Sequence, residues 1–415
     1  MKLGYAEANI TPVTPVNLAG YGVSRTSNDV HDPLLLRTLV FNDSHIDTVL
    51  IQTDLVGVDA CLIDMLADRL GISKDQIMIC CSHTHSGPTG TIDLKGLESI
   101  FGEFDQDYVD FWLESAVKCY KQAKEDLSIT KVGYRLINVT GIGTDRHDGT
   151  QGDDRLGLWY FITNNDKKIL LYNFACHPTI MNSENLMITA DLPYGVITEL
   201  GNEFDGIMFL NGSAGDISTR YTRNESNFEE VYNKGRLIAQ AIKSGLSDIE
   251  MVDLVNIQIN KIDIDIKLKD IPDIKKIKAK LVKQEKLVNK AKKEGKSVTD
   301  IRVLYSVVEG YNAQLEGIDV LTQLQHLKLN VTYLQINDKV LIGLPVELFS
   351  KLSDPYKEQD SRLHFVSYCN GYCMYLTNEI AFTMNYYEAG TTIFAKGEGE
   401  RIMHNIYQNL PKIDD

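Results

Sequence analysis

Short runs of β-branched and aliphatic residues recur along this 415-residue chain, and helical patterns separate some of them. Residues 59–70 and 108–124 place their apolar side chains at helical spacing. Such alternation is typical of an α/β fold, and the turn at Asn337-Asp338-Lys339 predicts that two strands pair as a hairpin. We therefore predict an α/β fold with a mixed β-sheet core flanked by helices. The strand-like runs are residues 48–52, 76–80, 169–175, 207–210, 331–336, 340–344 and 365–368.

A lysine-rich segment interrupts this pattern in the second half of the chain. Residues 261–300 include thirteen lysines and seven acidic residues. Apolar residues recur there at helical spacing in two successive stretches, which indicates a pair of helices. We predict one domain over residues 1–415, with residues 271–318 forming an inserted lysine-rich helical hairpin. A solvated surface is the simpler interpretation of the lysines, and docking on an anionic membrane or partner is the alternative.

The composition excludes several classes of function. A formal net charge of -15 argues against nucleic-acid binding, because neutralising phosphates needs a basic surface. No apolar run reaches the roughly 18 residues of a transmembrane segment, and the N-terminal residues have no apolar signal-peptide core. Seven scattered cysteines indicate reduced thiols. We expect a cytoplasmic protein that acts on a small-molecule or lipid-like substrate.

Two histidines follow one of the predicted strands, in the segment CCSHTHSGPTG at residues 80–90. His83 and His85 are two residues apart, so in extended backbone they point to the same side, as two ligands of one ion must. His177 and Glu347 also follow predicted strands, and strand ends in α/β folds tend to converge in one crevice. Histidines with a carboxylate form a typical catalytic zinc site. Packing or a surface position is the alternative for each histidine.

A glycine-rich turn follows the strand at residues 207–210. Its sequence, NGSAGDIS, ends at Ser218. Backbone N–H groups in such a turn can bind an oxyanion, and a serine there can act as a nucleophile or position the substrate. The alternative is a turn whose serine and aspartate cap a following helix. Local pattern leaves both interpretations open.

Segments in order along most of the chain resemble the catalytic domain of neutral, non-lysosomal ceramidases, which are zinc-dependent amide hydrolases. The segment SHTHSGP at residues 82–88 is close to identical to the hallmark of that family. The other similar segments are residues 4–12, 19–22, 144–146, 173–178, 211–218, 375–377 and 386–390. The chain resembles the short bacterial members that lack a C-terminal β-sandwich domain.

The resemblance implies a set of site residues and a chemistry. One zinc ion per chain would lower the pKa of its bound water to about 7 and polarise the carbonyl under attack. Ser218 falls on the serine that the family requires, and we favour it as a hydrogen-bond partner of the substrate over a nucleophile. The spacing of Tyr375 and Tyr387 equals that of the family's ligand tyrosine and substrate tyrosine. The implied zinc ligands are His83, His177, Glu347 and Tyr375, and the implied substrate-facing residues are His85, Arg146 and Tyr387.

Two departures from the family lie in motifs near the substrate. The family's Ser-Pro-Asn is Ser218-Thr219-Arg220 here, and its Arg-Ser-Pro is Arg146-His147-Asp148. We therefore expect a more polar ligand than ceramide, with Arg220 as a further substrate-binding residue for an anionic group.

We predict a zinc-dependent hydrolase that cleaves a linear C–N amide bond in an N-acyl, ceramide-like or smaller polar substrate, with a role in lipid or sphingolipid metabolism. One alternative is hydrolysis of an ester, lactone or cyclic amide at the same zinc ion. The other is a non-catalytic binding protein on the same fold.

Overall fold

The computed structural model describes residues 1–271, 273–323 and 327–411, and most of its strands belong to two sheets. Every residue of β4 and β5 is buried, as their continuous apolar runs predict. In chain order the strands are β1 (Lys2–Asn9), β2 (Asp29–Val30), β3 (Leu35–Asn42), β4 (Asp47–Thr53), β5 (Ile77–Cys81), β6 (Ser128–Asn138), β7 (Thr144–Asp145), β8 (Arg155–Thr163), β9 (Lys168–Phe174), β10 (Met187–Ile188), β11 (Gly206–Asn211), β12 (Ile217–Ser218), β13 (Met251–Asp253), β14 (Ile257–Asp265), β15 (Lys328–Ile336), β16 (Lys339–Gly343), β17 (Glu347–Leu348), β18 (Leu363–Val366) and β19 (Tyr375–Leu376).

The helices flank these sheets. Asp105 caps the longest helix of the first half, because its side chain accepts a hydrogen bond from the Tyr108 N–H at 3.0 Å. In chain order the helices are α1 (Cys61–Leu70), α2 (Glu98–Phe101), α3 (Gln106–Glu125), α4 (Leu192–Leu200), α5 (Phe228–Leu246), α6 (Ile274–Lys293), α7 (Val298–Glu316), α8 (Ile318–Gln323), α9 (Ser350–Gln359), α10 (Glu379–Met384), α11 (Tyr387–Thr391) and α12 (Glu398–Gln408).

The larger sheet has the order β11-β9-β8-β6-β1-β3-β4-β5, and β13 also pairs with β6. Its β11–β9 and β4–β5 pairs are parallel, and the pairs between them are antiparallel. The smaller sheet has the order β14-β15-β16-β18, with a parallel β16–β18 pair. These pairings confirm the prediction of an α/β fold with a mixed sheet.

The two sheets share one layer of the core. Phe41 and Leu50 of the larger sheet belong to the same buried cluster as Leu334 and Leu341 of the smaller sheet. Separate apolar clusters cover the outer faces, where α1 and α3 pack on one half of the larger sheet and α4 and α5 on the other. On the smaller sheet, the hydroxyl of Tyr333 donates to a carbonyl of α12 at 3.0 Å. The layers therefore follow the order helices, sheet, sheet, helices.

One predicted strand is misplaced by two residues. We predicted a strand over residues 365–368, whereas β18 ends at Val366. Ser367 donates its N–H to the Asn211 carbonyl at 2.9 Å, and the Tyr368 carbonyl accepts from the Cys81 N–H at 3.1 Å. The chain therefore crosses from the smaller sheet to the larger one beside the end of β5.

The helices α6 and α7 lie in the chain between β14 and β15, which are antiparallel neighbours. Ser297 precedes α7, and its hydroxyl accepts a hydrogen bond from the Asp300 N–H at 3.0 Å. Pro272, within the predicted hairpin, and residues 324–326 and 412–415, within the predicted domain, lie outside the described residues. None of the helices in the described ranges combines the length and apolar character that a membrane crossing needs.

Candidate metal centre

Three loops that follow strand ends bring the predicted ligands together. His83 follows β5, His177 follows β9, and Glu347 follows β16. β5 and β9 belong to the larger sheet and β16 to the smaller one, so the three loops come from both sheets. The prediction that they share a crevice came from their positions directly after strands, and the structure places their side chains in contact.

Asn211, at the end of β11, connects two of these loops. Its side-chain amide donates to the Ser82 carbonyl at 3.0 Å, and its side-chain oxygen accepts from the Cys176 N–H at 3.3 Å. Ser82 and Cys176 each precede one of the histidines. The first residue of the NGSAGDIS turn therefore holds the two histidine loops at a fixed separation.

Backbone carbonyls orient both of these histidines. Nδ1 of His83 lies 2.6 Å from the Val56 carbonyl oxygen, and Nδ1 of His177 lies 2.6 Å from that of Ala214. A carbonyl oxygen only accepts hydrogen bonds, so each Nδ1 carries a proton and each Nε2 is the ring nitrogen left to face the site. A metal ion would bind these rings through Nε2.

Nε2 of His83 and Nε2 of His177 converge on a carboxylate. One ring nitrogen each from His83, His85 and His177 lies within 4.8 Å of the other two. Glu347 places Oε2 3.0 Å from Nε2 of His177 and 3.4 Å from Nε2 of His83. His83, His177 and Glu347 are buried, and His85 is half-buried. The described residues thus offer three nitrogen donors and one oxygen donor around one point.

The protonation states suit a metal ion. Burial, reinforced by the neighbouring histidines, holds the pKa of His85 well below its usual range, and burial lowers the pKa of His177 to about 4. Burial opposes ionisation of Glu347, but the adjacent His83 and His177 hold its pKa well below the usual range. Neutral imidazoles beside an ionised carboxylate match the donor set of catalytic zinc sites. The residues present therefore fit a divalent metal.

Two tyrosines approach the carboxylate from the same segment. Tyr372 donates a short hydrogen bond from its hydroxyl to Oε1 of Glu347. Tyr375 is the register partner of Glu347 in the parallel β17–β19 ladder, and its ring lies 5.2 Å from the Arg146 guanidinium and 6.0 Å from the Tyr387 ring. Motif spacing favoured Tyr375 over Tyr372, and no role was predicted for Tyr372. The available signal was two tyrosines three residues apart on one loop.

A charged network surrounds Arg146. Nε of Arg146 donates to Oε1 of Glu388 at 2.6 Å, and Nε2 of His147 lies 2.8 Å from Oε2 of the same carboxylate. Nδ1 of His147 lies 2.8 Å from Oδ1 of Asp145, and its ring stacks on Tyr386 at 3.7 Å. Sequence reasoning missed Glu388 and His147, although each adjoins a predicted site residue.

This network contains opposed pKa shifts. Burial would raise the pKa of Glu388, but the charges of Arg146 and His147 lower it to about 2. Burial would lower the pKa of His147, but Glu388 and Asp145 raise it to about 9. Near neutral pH the group is therefore a buried carboxylate between two cations, which holds the Arg146 side chain in one orientation.

Solved structures share this architecture. The crystal structure of neutral ceramidase from Pseudomonas aeruginosa matches with a TM-score of 0.75 at 16% sequence identity, covering 99% of this chain and 75% of that chain. A structure of ceramidase complexed with C2 matches with a TM-score of 0.74 at 16% identity, covering 99% and 76%. The chain has the neutral ceramidase fold. No protein-family model matches the sequence, and no curated protein is significantly similar to it.

On this ceramidase fold, the NGSAGDIS turn lies against the second histidine. Ser218 forms a β-bridge with His177, and its hydroxyl lies 3.4 Å from the Arg220 N–H. Asp216 accepts from the N–H of Ser350 at 2.7 Å and from its hydroxyl at 3.0 Å, at the start of α9. Asp216 therefore caps the start of α9, which agrees with helix capping as the alternative interpretation of this turn. The capped helix is distant from the turn in sequence.

The first histidine motif meets the N-terminal segment. The Tyr21 ring packs edge-on against His85 with the centroids 4.8 Å apart, and the Arg25 guanidinium lies 4.6 Å from the centre of the Tyr21 ring. Arg25 also donates to the His85 carbonyl at 2.6 Å. Residues 19–22, noted for their resemblance to ceramidases, therefore form one wall beside His85.

The helical hairpin of α6 and α7 contacts the segment around Tyr387. A β-carbon added at Gly310, in α7, would lie 3.0 Å from Cδ2 of Tyr387, and one added at Gly390, in α11, would lie 2.5 Å from Nε2 of Gln314. The Gln314 amide ends a flexible side chain and could move aside, whereas a side chain at Gly310 would crowd the Tyr387 ring. The hairpin therefore packs directly against the helix that carries the predicted substrate tyrosine.

Proposed function

We propose that this protein is a zinc-dependent hydrolase of the neutral ceramidase family that cleaves a linear C–N amide bond in an N-acyl substrate. The single observation that carries the proposal is the convergence of His83, His177 and Glu347 beside His85 on a ceramidase fold. Ceramidase is the name of the structural neighbours. For this chain, an N-acyl amide, ceramide-like or smaller, is the proposed substrate class.

In this proposal some of the predicted site residues bind zinc and others transfer a proton. His83, His177, Glu347 and Tyr375 would hold zinc, which supplies Lewis acidity that polarises a carbonyl and makes water a nucleophile near neutral pH. His85 adjoins this position with Nε2 3.2 Å from Nε2 of His83. Burial keeps it neutral, so it can take a proton from the attacking water and deliver it to the leaving nitrogen.

The remaining predicted residues would bind and orient the substrate. Arg146, fixed by Glu388, presents a cation beside Tyr375. Tyr387 keeps its proton, because burial and nearby carboxylates raise its pKa well above the usual range, and it can donate to the developing oxyanion. Ser218, beside His177, would position the substrate through a hydrogen bond. An attacking water removes the need for a serine nucleophile.

Metal content and amide hydrolysis test the proposal together. Purified protein should contain about one zinc per chain by inductively coupled plasma mass spectrometry and should release octanoate from N-octanoylsphingosine or N-octanoylethanolamine. His83→Ala should lose both metal and activity, because it removes a buried ligand. His404→Ala, at an exposed histidine of α12, is the matched control and should keep both. Absence of stoichiometric metal, or full activity in His83→Ala, would contradict the proposal.

Ester and lactone substrates separate the alternatives. Octyl acetate and γ-decalactone should be cleaved more slowly than the amides if the site is built for a C–N bond. Preferential cleavage of either would favour the alternative hydrolase. Metal binding without cleavage of any of these compounds would favour a binding protein.

A further inference from the structure

Tyr368 stacks on the first histidine of the candidate metal centre. Its ring lies parallel to that of His83, with the ring centroids 3.8 Å apart and 8° between the planes. Both side chains are buried. The Tyr368 ring also lies edge-on to that of His177, with the centroids 6.3 Å apart. A residue for which no role was predicted therefore contacts one proposed ligand and lies near another.

Two restraints act on the His83 ring. The hydrogen bond between Nδ1 and the Val56 carbonyl holds one edge of the ring. A single hydrogen bond leaves the ring some freedom to tilt about that contact, because its angular preference is broad. The parallel Tyr368 ring blocks this motion, since a tilted imidazole would collide with the phenol ring in a close-packed interior. The stack therefore sets the plane of the imidazole and, with it, the direction of Nε2.

Backbone contacts hold both stacked residues in an unusual conformation. Tyr368 has a φ of 55° and His83 a φ of 69°, in the left-handed region that bulky side chains rarely adopt. The Tyr368 N–H donates to the Val346 carbonyl, and the Tyr368 carbonyl accepts from the Cys81 N–H, both at 3.1 Å. Such strain persists where surrounding contacts over-determine it, and it is concentrated at functional sites. These two hydrogen bonds tie Tyr368 to the segments that lead to Glu347 and to His83.

The ring and the hydroxyl of Tyr368 differ in what they contact. The hydroxyl is buried, and it has no hydrogen-bond partner among the residues that the structure describes. A buried hydroxyl without a partner does not stabilise a fold. The hydroxyl of Tyr372, by contrast, donates to Glu347. The ring is therefore the part of Tyr368 that acts on the metal centre.

We propose that Tyr368 is a positioning residue of the metal centre, which fixes the plane of the His83 ring so that Nε2 faces the site. This inference rests on the proposed function, because it concerns a ligand of the proposed zinc ion. Tight metal binding should then need a flat ring at position 368 and should not need the hydroxyl.

Substitutions that keep or remove the ring test this role with Zn²⁺ and Co²⁺ alone. Tyr368→Phe should keep the zinc affinity of the parent protein and should unfold at the same or a higher urea concentration, because the lost hydroxyl has no partner. Tyr368→Leu should bind zinc about 10- to 100-fold more weakly, the usual effect of losing a group that orients a metal ligand. Competition with a fluorescent chelator measures the affinities. The visible absorption spectrum of the Co²⁺-loaded protein, which reports ligand geometry, should change in Tyr368→Leu and stay the same in Tyr368→Phe.

Tyr172→Leu is the matched control. Tyr172 is a buried tyrosine of β9 whose ring centroid lies 5.1 Å from that of Phe209. This variant should lose stability and keep the zinc affinity and cobalt spectrum of the parent protein. If Tyr368→Leu does not fold, Tyr368→Met supplies the same test, because methionine fills irregular gaps without providing a flat ring.

No substrate enters these measurements, so they separate the role of Tyr368 from the proposed function. A protein that cleaves no amide but shows this dependence on the ring would lose the proposed function and keep the positioning role. Equal zinc affinities and cobalt spectra in Tyr368→Leu and Tyr368→Phe would overturn the positioning role. Failure of the parent protein to bind either ion would contradict both.

Discussion

Glu347 and Tyr375 are register partners in a parallel ladder, yet the hydroxyl that contacts the Glu347 carboxylate belongs to Tyr372. The ladder fixes the backbone positions of Glu347 and Tyr375, since the Glu347 N–H donates to the Met374 carbonyl at 2.9 Å. Tyr372 instead orients the carboxylate through its side chain. The two tyrosines therefore have separable roles, which substitution can distinguish.

We expect Tyr372→Phe to weaken zinc binding about 10- to 100-fold, because it removes a hydrogen bond that orients a predicted ligand. Tyr375→Phe should weaken binding further if Tyr375 is itself a ligand. Competition with a fluorescent chelator measures both affinities. Tyr356→Phe is the control, since Tyr356 lies in α9 with its ring 5.1 Å from Tyr407. Unchanged affinity in Tyr372→Phe would contradict the assigned role of that hydroxyl.

His147 should make stability depend on pH above neutrality. Its pKa rises from 6.5 to about 9 in the folded protein, so its stabilising contribution is fully present below pH 6.5 and is lost as pH rises through 9. The rise corresponds to about 3 kcal/mol. His147→Gln should therefore be less stable than the parent protein at pH 6, and the difference should shrink by pH 9.5. Urea unfolding of both metal-loaded proteins measures this, and a constant difference would refute it.

Ser218→Ala should reduce kcat on the order of 10²-fold without removing a covalent step, because we assign Ser218 a hydrogen-bonding role. Intact mass spectrometry of the parent enzyme, quenched during turnover of an N-octanoyl substrate, should show no acylated protein. Ser213→Ala is the control, since this buried hydroxyl of the same turn has no hydrogen-bond partner in the described part of the chain. An octanoyl group on Ser218 would instead establish it as the nucleophile.

Gly310→Ala should lower activity through the contact between the hairpin and Tyr387. The added methyl would lie 3.0 Å from Cδ2 of Tyr387, so the ring or the helix must shift. Overpacking costs about 1–3 kcal/mol and the gain in helix propensity returns about 1 kcal/mol, so we expect a small net loss of stability. The displaced tyrosine should reduce kcat/KM by about tenfold or more.

Gly22→Ala serves as the stability control for that substitution, because an added β-carbon there meets no atom within 4 Å. Thermal unfolding should be measured on both variants, and amide hydrolysis on Gly310→Ala and the parent protein. If Gly310→Ala kept full kcat/KM, the hairpin would have no part in positioning Tyr387.

Local sequence was sufficient to predict the strands and the loops that follow them. Continuous apolar runs predict β4, β5 and β9, because a strand buried on both faces needs no alternation of polar residues. The position of His83, His177 and Glu347 directly after such runs also predicted that they lie near one another. The segment SHTHSGP and the spacing of Tyr375 and Tyr387 pointed to ceramidases, whose fold the structure shares.

Side-chain partners between distant segments depended on the tertiary structure. His177 and Glu347 are 170 residues apart, and their 3.0 Å contact requires the end of the larger sheet to meet the segment that follows β16. Glu388 joins Arg146 across 242 residues, and α7 reaches Tyr387 by packing on α11.

Periodicity in a short window determines which residues form a strand or a helix, because backbone hydrogen bonds and burial of one face are local properties. Which of two nearby tyrosines meets a carboxylate, and which arginine pairs with Glu388, depends on how whole layers pack against each other. The sequence by itself determined the elements and the histidine loops of this protein. The tertiary structure decided how those loops, the hairpin and the tyrosine segment combine into one charged site.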